Sequence, residues 1–375
     1  MRKRKRRILL KFEQIGFIGL GLIGGSIAKA IKQRAPKTRI IAHASHASTI
    51  EEAFAAGVIS NDHLLDIAEF ASCDLLFLCS PVGVNISYLE TLAPLLSPNC
   101  IITDVGSVKG DIHKAIHDLQ LDAQFIGGHP MTGSEKTGFA NSSSTLLENA
   151  YYILTSTEDV PKDYVDEFAS YIASLGAIPI KLTPSDHDFA TAAISHLPHV
   201  ISASLVNLVK EEDSKDEILR TIAAGGFKDI TRISSSSPVM WQHICMANRD
   251  EILKLCELYL QRFEEVRSAI AAGDETRIHS LFTNAKNYRD SMRTQSTGIL
   301  PISFEFYCDL VDEAGGIATI ATILATHGLN IKNIGIIHDR EFEEGVLHIE
   351  MYDANSMEDA ITLLQQHRYT IHKKK

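Results

Sequence analysis

Gly19-Leu20-Gly21-Leu22-Ile23-Gly24 follows a short apolar run, residues 14–18, and precedes a stretch of helical character over about residues 25–33. A GxGxxG held between a strand and a helix leaves few folds open. The first glycine permits a tight turn, the second lets a pyrophosphate approach the backbone, and the third lets helix and strand pack closely. The unpaired N–H groups at the helix N-terminus then face the phosphates. The chain is therefore expected to begin with a dinucleotide-binding α/β domain, with residues 19–24 lining the cofactor.

A second strand is expected over residues 39–42. In this fold an acidic residue about 20 positions past the glycines usually holds the ribose 2′-OH of NAD. Here the chain reads His43-Ala44-Ser45-His46, and no Asp or Glu occurs between Pro36 and Thr49. The missing carboxylate removes the usual repulsion against a 2′-phosphate. Ser45 and His46 are donors for such a group, but no Arg is there to clamp it. NAD and NADP both stay open.

Two further apolar runs read as buried parallel strands. Residues 74–79 run into Ser80-Pro81-Val82, and residues 100–103 into Asp104-Val105-Gly106-Ser107-Val108-Lys109. Residues 124–126 lead into Gly127-Gly128-His129-Pro130. In open α/β sheets ligands bind beyond the carboxyl ends of the strands. Ser80, Pro81 and Asp104 are thus expected on the cofactor side. His129, between a glycine pair and a proline, reads as a loop imidazole and a candidate proton acceptor near neutral pH. With strands at 151–155 and 178–182, residues 13–183 are expected to form a doubly wound sheet.

From residue 184 the pattern turns helical, with a start at Ser185 or Asp186 and long segments at 190–212, 217–223 and 238–271. An all-helical domain over 184–295 with large apolar faces suggests a dimer interface. His196 and His199 share a helix face, and Pro198 between them is expected to kink that helix. With no third ligand beside them, a metal site is not expected. Lys228 and Arg232 lie one helical turn apart after Gly225-Gly226, a pairing that makes sense around an anion. Trp241 is the only tryptophan. After a linker, residues 301–375 read as a β-α-β-β-α module.

Composition narrows the classes. A chain of 375 residues needs more than one core. No continuous apolar run reaches the roughly 20 residues that span a bilayer. Residues 1–12 form a basic tail, yet the net charge of −11 opposes nucleic-acid binding. Six cysteines without a CxxC pair point to a reducing cytoplasm and away from disulfides or zinc.

GLGLIGGS, DVGSVK, GGHPMTGSE, SHLPH and GGFKDITRI, in this order and spacing, resemble the prephenate dehydrogenase family of tyrosine biosynthesis over about residues 14–290. The C-terminal module resembles an ACT domain, with Gly315, Gly316 and Asn330 where such domains carry ligand-binding loops. The resemblance implies oxidative decarboxylation of prephenate to 4-hydroxyphenylpyruvate, with NAD or NADP as acceptor and tyrosine as feedback effector. It implies His129 as proton acceptor and Ser107 as a contact to substrate hydroxyl, histidine and nicotinamide. It implies His199 and Arg232 as substrate-binding, Arg232 on a carboxylate, with Lys228, Glu135, His187 and Trp241 lining the same pocket. Trp241 is then expected near the neighbouring subunit of a homodimer. Arogenate as substrate, a β-hydroxyacid-type dehydrogenase with a catalytic lysine, and an amino-acid sensor on an inactive scaffold are the competing readings.

Overall fold

The computed structural model describes residues 12–133, 136–295, 304–309, 315–337 and 346–373. The chain divides into two compact units, Met1–Ile278 and His279–Lys375. The basic run Arg2–Arg7, together with Glu135, lies outside the described residues. Phe12, counted with the tail in the sequence, instead packs edge-on against Tyr171 at 4.9 Å and joins the core.

The first unit opens with β1 (Gln14–Ile18), α1 (Leu22–Arg34), β2 (Arg39–His43), α2 (Ala47–Ala55), β3 (Leu75–Leu78), α3 (Val82–Leu92), β4 (Ile101–Asp104) and α4 (Gly110–Asp118). The four strands form a parallel sheet in the order β2-β1-β3-β4. Alternate residues go to opposite faces, as the two-residue period of a strand requires. Phe17, Leu75 and Phe77 join one core with Ile27 and Ile31 of α1. Ile18, Leu76 and Leu78 join the other with Leu89 of α3 and Ile112 of α4. Helices thus cover both faces, and the strand order reverses between β1 and β3, where a doubly wound sheet opens its ligand crevice.

The glycine turn sits at that crevice. Gly19 has φ +94°, and a Cβ there would lie 2.6 Å from Ser80 Oγ. At Gly24 a Cβ would come within 2.6 Å of the Gly19 carbonyl oxygen, whereas at Gly21 none of the described residues lies within 4 Å. Turn, open approach and tight packing are therefore divided among the three glycines as expected.

The sheet then departs from the doubly wound expectation. β5 (Ile126–Pro130) is reached from β4 by one parallel bridge, Ile102 to Phe125. β5 pairs antiparallel with β6 (Tyr151–Ser156), which pairs parallel with β7 (Ile178–Leu182) after α5 (Lys162–Ser174). Between β5 and β6 the described residues form no α-helix, only a 3-10 turn, Phe139–Asn141, and turns over residues 144–149. A parallel return needs a crossover, usually helical, so this connection reverses the strand.

The helical part contains α6 (Pro184–Thr191), α7 (Leu197–Glu211), α8 (Ile218–Ile222), α9 (Gly225–Thr231), α10 (Pro238–Ala247), α11 (Arg249–Ala271) and α12 (Glu275–Gln295). Thr183, not Ser185 or Asp186, caps α6: its hydroxyl accepts the Asp186 N–H at 3.1 Å. α6 and α7 are one continuous helix, Pro184–Glu211, joined through a π segment at Ala192–His196. Pro198 follows that segment, in the first turn of α7. By length and composition alone this 28-residue helix could cross a membrane, although it holds no continuous apolar run of about 20 residues. It carries His187, Asp188 and His196 buried at its core-facing side, so it reads as a helix of the globular unit. Large apolar side chains stay exposed on these helices, among them Ile194, Leu208, Ile222, Val239, Leu260 and Phe263.

The second unit, after the end of α12, has β8 (Phe304–Asp309), α13 (Gly316–Thr326), β9 (Ile331–Ile337), β10 (Val346–Met351), α14 (Ala354–Gln366) and β11 (Ile371–Lys373). The sheet is antiparallel in the order β11-β8-β10-β9. The short β11 was not anticipated: three residues with two charged neighbours give almost no periodic signal. Phe306, Ile320, Leu347, Ile349 and Leu364 form its core. Gly315, at φ +94°, precedes α13, and Asn330 is exposed just before β9.

Candidate active site

His129 is not a loop residue. It lies on β5 opposite Ile153 of β6, with its side chain half-buried. The glycines before it serve packing: a Cβ at Gly128 would come 2.5 Å from the Asp104 carbonyl oxygen and 2.8 Å from the Tyr152 ring. β5 can therefore press against the end of β4 only without side chains at that point. This carries His129 to the rim at the carboxyl end of β4.

That rim is held by buried charge. Asp104 accepts the N–H groups of Gly106 at 2.9 Å and Gly128 at 3.0 Å. Lys109, fully buried, donates to the Asp104 carboxylate and, at 2.7 Å, to the Gly128 carbonyl. Burial lowers the Lys109 pKa and the Asp104 charge opposes that. Both Asp104 oxygens thus accept hydrogen bonds from within the chain. Ser107 is half-buried in the turn between β4 and α4, and Ser80 is half-buried after β3 beside Gly19. Pro81 is exposed at the start of α3. Ser45 and His46 are exposed after β2 and bond each other at 2.8 Å.

From His129 a chain of polar groups runs into the helical part. His129 Nδ1 lies 2.8 Å from His187 Nε2, and His187 Nδ1 lies 2.7 Å from Asp188 Oδ1. Asp188 also accepts the backbone N–H groups of Lys109 and Gly110, each at 2.8 Å. Asn248 donates to the Asp188 carbonyl at 2.8 Å and to His196 Nδ1 at 3.1 Å. Burial holds the His129 pKa well below the ordinary imidazole value, and the charges of Lys109, His187 and His196 act the same way. Burial pushes His196 down to about 4, against the Asp188 charge.

A second group lies along α7 and α10. The His199 ring stacks on Trp241 with centroids 3.7 Å apart, and its Nδ1 bonds the Ser195 carbonyl at 2.8 Å. Burial lowers the His199 pKa and the nearby Arg232 charge adds to it. Ser202 of α7 donates to the Ile230 carbonyl at 3.0 Å and meets Ser234 at 2.6 Å, which seats the segment bearing Arg232. Lys228 is exposed on α9, one turn before Arg232. The Trp241 indole N–H is buried without a partner among the described residues.

Comparison with known proteins places this geometry. The model of "Prephenate dehydrogenase, nucleotide-binding domain" matches residues 27–181, and that of "Prephenate dehydrogenase, dimerization domain" matches residues 183–284. Prephenate dehydrogenase of Bacillus subtilis is 37% identical over 333 residues, 88% of this chain and 90% of its own. The chain belongs to the prephenate dehydrogenase family. The crystal structure of Aquifex aeolicus prephenate dehydrogenase with hydroxyphenyl propionate and NAD+ superposes with a TM-score of 0.71 at 29% identity, covering 76% of this chain and 99% of that one. Synechocystis arogenate dehydrogenase gives 0.68 at 31% identity, covering 74% and 99%.

For a prephenate dehydrogenase, the residues missed in the sequence are the buried ones. Asp188 read as a first-turn acid of a helix and Lys109 as a loop cation. The sequence signal is limited to an acid directly after a histidine. His187 is fully buried and contacts His129.

Proposed function

We propose that this protein oxidatively decarboxylates prephenate to 4-hydroxyphenylpyruvate and CO2 with NAD, and that His129 takes the ring-hydroxyl proton. The observation that supports this role most is an imidazole held neutral by burial on the rim of a dinucleotide crevice. Open space at Gly21 and the N-terminus of α1 fit a pyrophosphate there. NAD, when bound, supplies the hydride acceptor. Decarboxylation aromatises the ring, so the chain's work is to remove the hydroxyl proton as hydride departs and to hold the geometry. Arg232 suits one carboxylate of this dianion, with Lys228 adding positive charge, and Ser107, His199 and Trp241 complete the pocket. Glu135 lies six positions after His129 in the sequence.

Absorbance at the reduced-nicotinamide band, with prephenate or arogenate and with NAD or NADP, tests the reading. It stands if prephenate with NAD turns over and His129→Asn does not. Arogenate is the second reading, since a 31% identical solved relative is an arogenate dehydrogenase. The exposed Ser45 and His46, in place of an acid, keep NADP in the comparison.

The exposed apolar side chains of the helical part support a homodimer, and light scattering checks it. The six free cysteines support a reducing cytoplasmic setting. The antiparallel β11-β8-β10-β9 sheet with two helices supports an ACT module, with tyrosine held near Gly315, Gly316 and Asn330. Tyrosine inhibition that survives deletion of residues 300–375 sinks that assignment.

A further inference from the structure

We propose that His187 and Asp188 lock His129 in one tautomer, acting as positioning residues for the proton acceptor. This rests on the reading of His129 as the base. A carboxylate only accepts hydrogen bonds, so the His187 nitrogen facing Asp188, Nδ1, carries hydrogen. A His187 ring carrying that one hydrogen presents Nε2 as a bare acceptor. Only an N–H on His129 Nδ1 satisfies the 2.8 Å contact between the two rings. The unprotonated nitrogen of His129 is therefore Nε2, and it takes no hydrogen bond from the described residues. A free imidazole shares its hydrogen between both nitrogens; the lock keeps the basic one on the side of the ring away from His187 in every molecule.

The lock has its own support. Asp188 is fixed from outside the pair by the N–H groups of Lys109 and Gly110 at the start of α4. Thr191 Oγ1 donates to the carbonyls of His187 at 3.0 Å and Asp188 at 3.2 Å, and Asn248 holds the Asp188 carbonyl. His187 has no solvent-exposed side-chain surface. The charged or titratable groups facing His129 are Lys109 with Asp104 from the β4–α4 rim, His187 and Asp188 from α6, and His196 from the π segment. Its partner on β6, Ile153, carries no charge.

Steady-state kinetics with prephenate and NAD, alongside 15N imidazole spectra, decide the matter on the full chain. His187→Gln offers an amide oxygen to His129 Nδ1–H; His187→Leu offers none. The expected result is that His187→Leu lowers kcat about tenfold or more, a fraction of a general base's usual contribution. KM for prephenate should stay within about threefold, because ground-state binding is untouched. His187→Gln should recover most of kcat. Asp188→Asn admits the reversed arrangement and should lower kcat in the same direction. The neutral Nδ1–H signal that disappears in His129→Asn should become a tautomer mixture in His187→Leu. Equal losses in the Gln and Leu variants, tracking the folded fraction, overturn the proposal. So does a raised KM with kcat kept, which marks a substrate contact. If His129→Asn itself keeps turnover, the base assignment fails instead, whatever the position-187 variants do.

Discussion

The Lys109 ammonium and the Asp104 carboxylate form an ion pair in which neither side chain has any solvent exposure. The pair grips both the N–H and the carbonyl of Gly128, the residue before His129. Removing one partner strands the other charge out of water. Lys109→Met is expected to cost about 3–5 kcal/mol of stability, measured by urea unfolding. Adding Asp104→Asn should recover part of that, because no unpaired charge then remains. A single variant as stable as the wild type removes the pair from the account of the rim.

Gly21 and Gly24 should separate binding from folding. Gly21→Ala adds a methyl into space with none of the described residues within 4 Å, while Gly24→Ala drives one against the Gly19 carbonyl at 2.6 Å. The first should leave thermal stability unchanged and raise KM for NAD. The second should lower the melting temperature. Unaltered NAD affinity in Gly21→Ala rules out a pyrophosphate against that backbone.

Acid should unfold this protein through two buried histidines other than His129. Burial lowers His113 and His196 each to about 4. The unfolded chain binds a proton on each near pH 6.5, while the folded chain refuses it until about pH 4. Stability is therefore complete above pH 6.5 and falls between 6.5 and about 4, by ~3 kcal/mol per imidazole at 1.36 kcal/mol per pH unit. Urea midpoints at pH 7 and pH 5 check the sign; His113→Gln should flatten the dependence. His129 is likewise held below the ordinary imidazole range, so kcat/KM should persist below pH 6.5 until unfolding or protonation intervenes.

Arg232→Lys should raise KM for prephenate by about 10-fold to 100-fold, since a charge-assisted hydrogen bond contributes ~1.5–3 kcal/mol and Lys cannot reproduce the planar fork. kcat should fall less than KM rises. The reverse split points to a role in the chemical step.

Chain-local features were open to reading without coordinates. The glycine spacing of residues 19–24, the apolar strands and the helical periodicity after residue 184 each depend on neighbours in the chain. Their effect on the backbone is the same wherever the chain goes next. The order of motifs that marks the family is likewise linear.

What needed the third dimension was every relation between distant segments. Gly127-Gly128-His129-Pro130 has the composition of a turn, yet pairing with residues 151–156 makes it a strand, because ladder hydrogen bonds are supplied by the partner. Asp188 looked like a helix-start acid until folding set it against residues 109 and 110, far away in sequence. His187 looked like a pocket wall until its ring was found beneath another ring, shielded from solvent. Burial decides which charges are paired and which imidazoles stay neutral, and burial is a property of the packed chain, not of any segment taken alone.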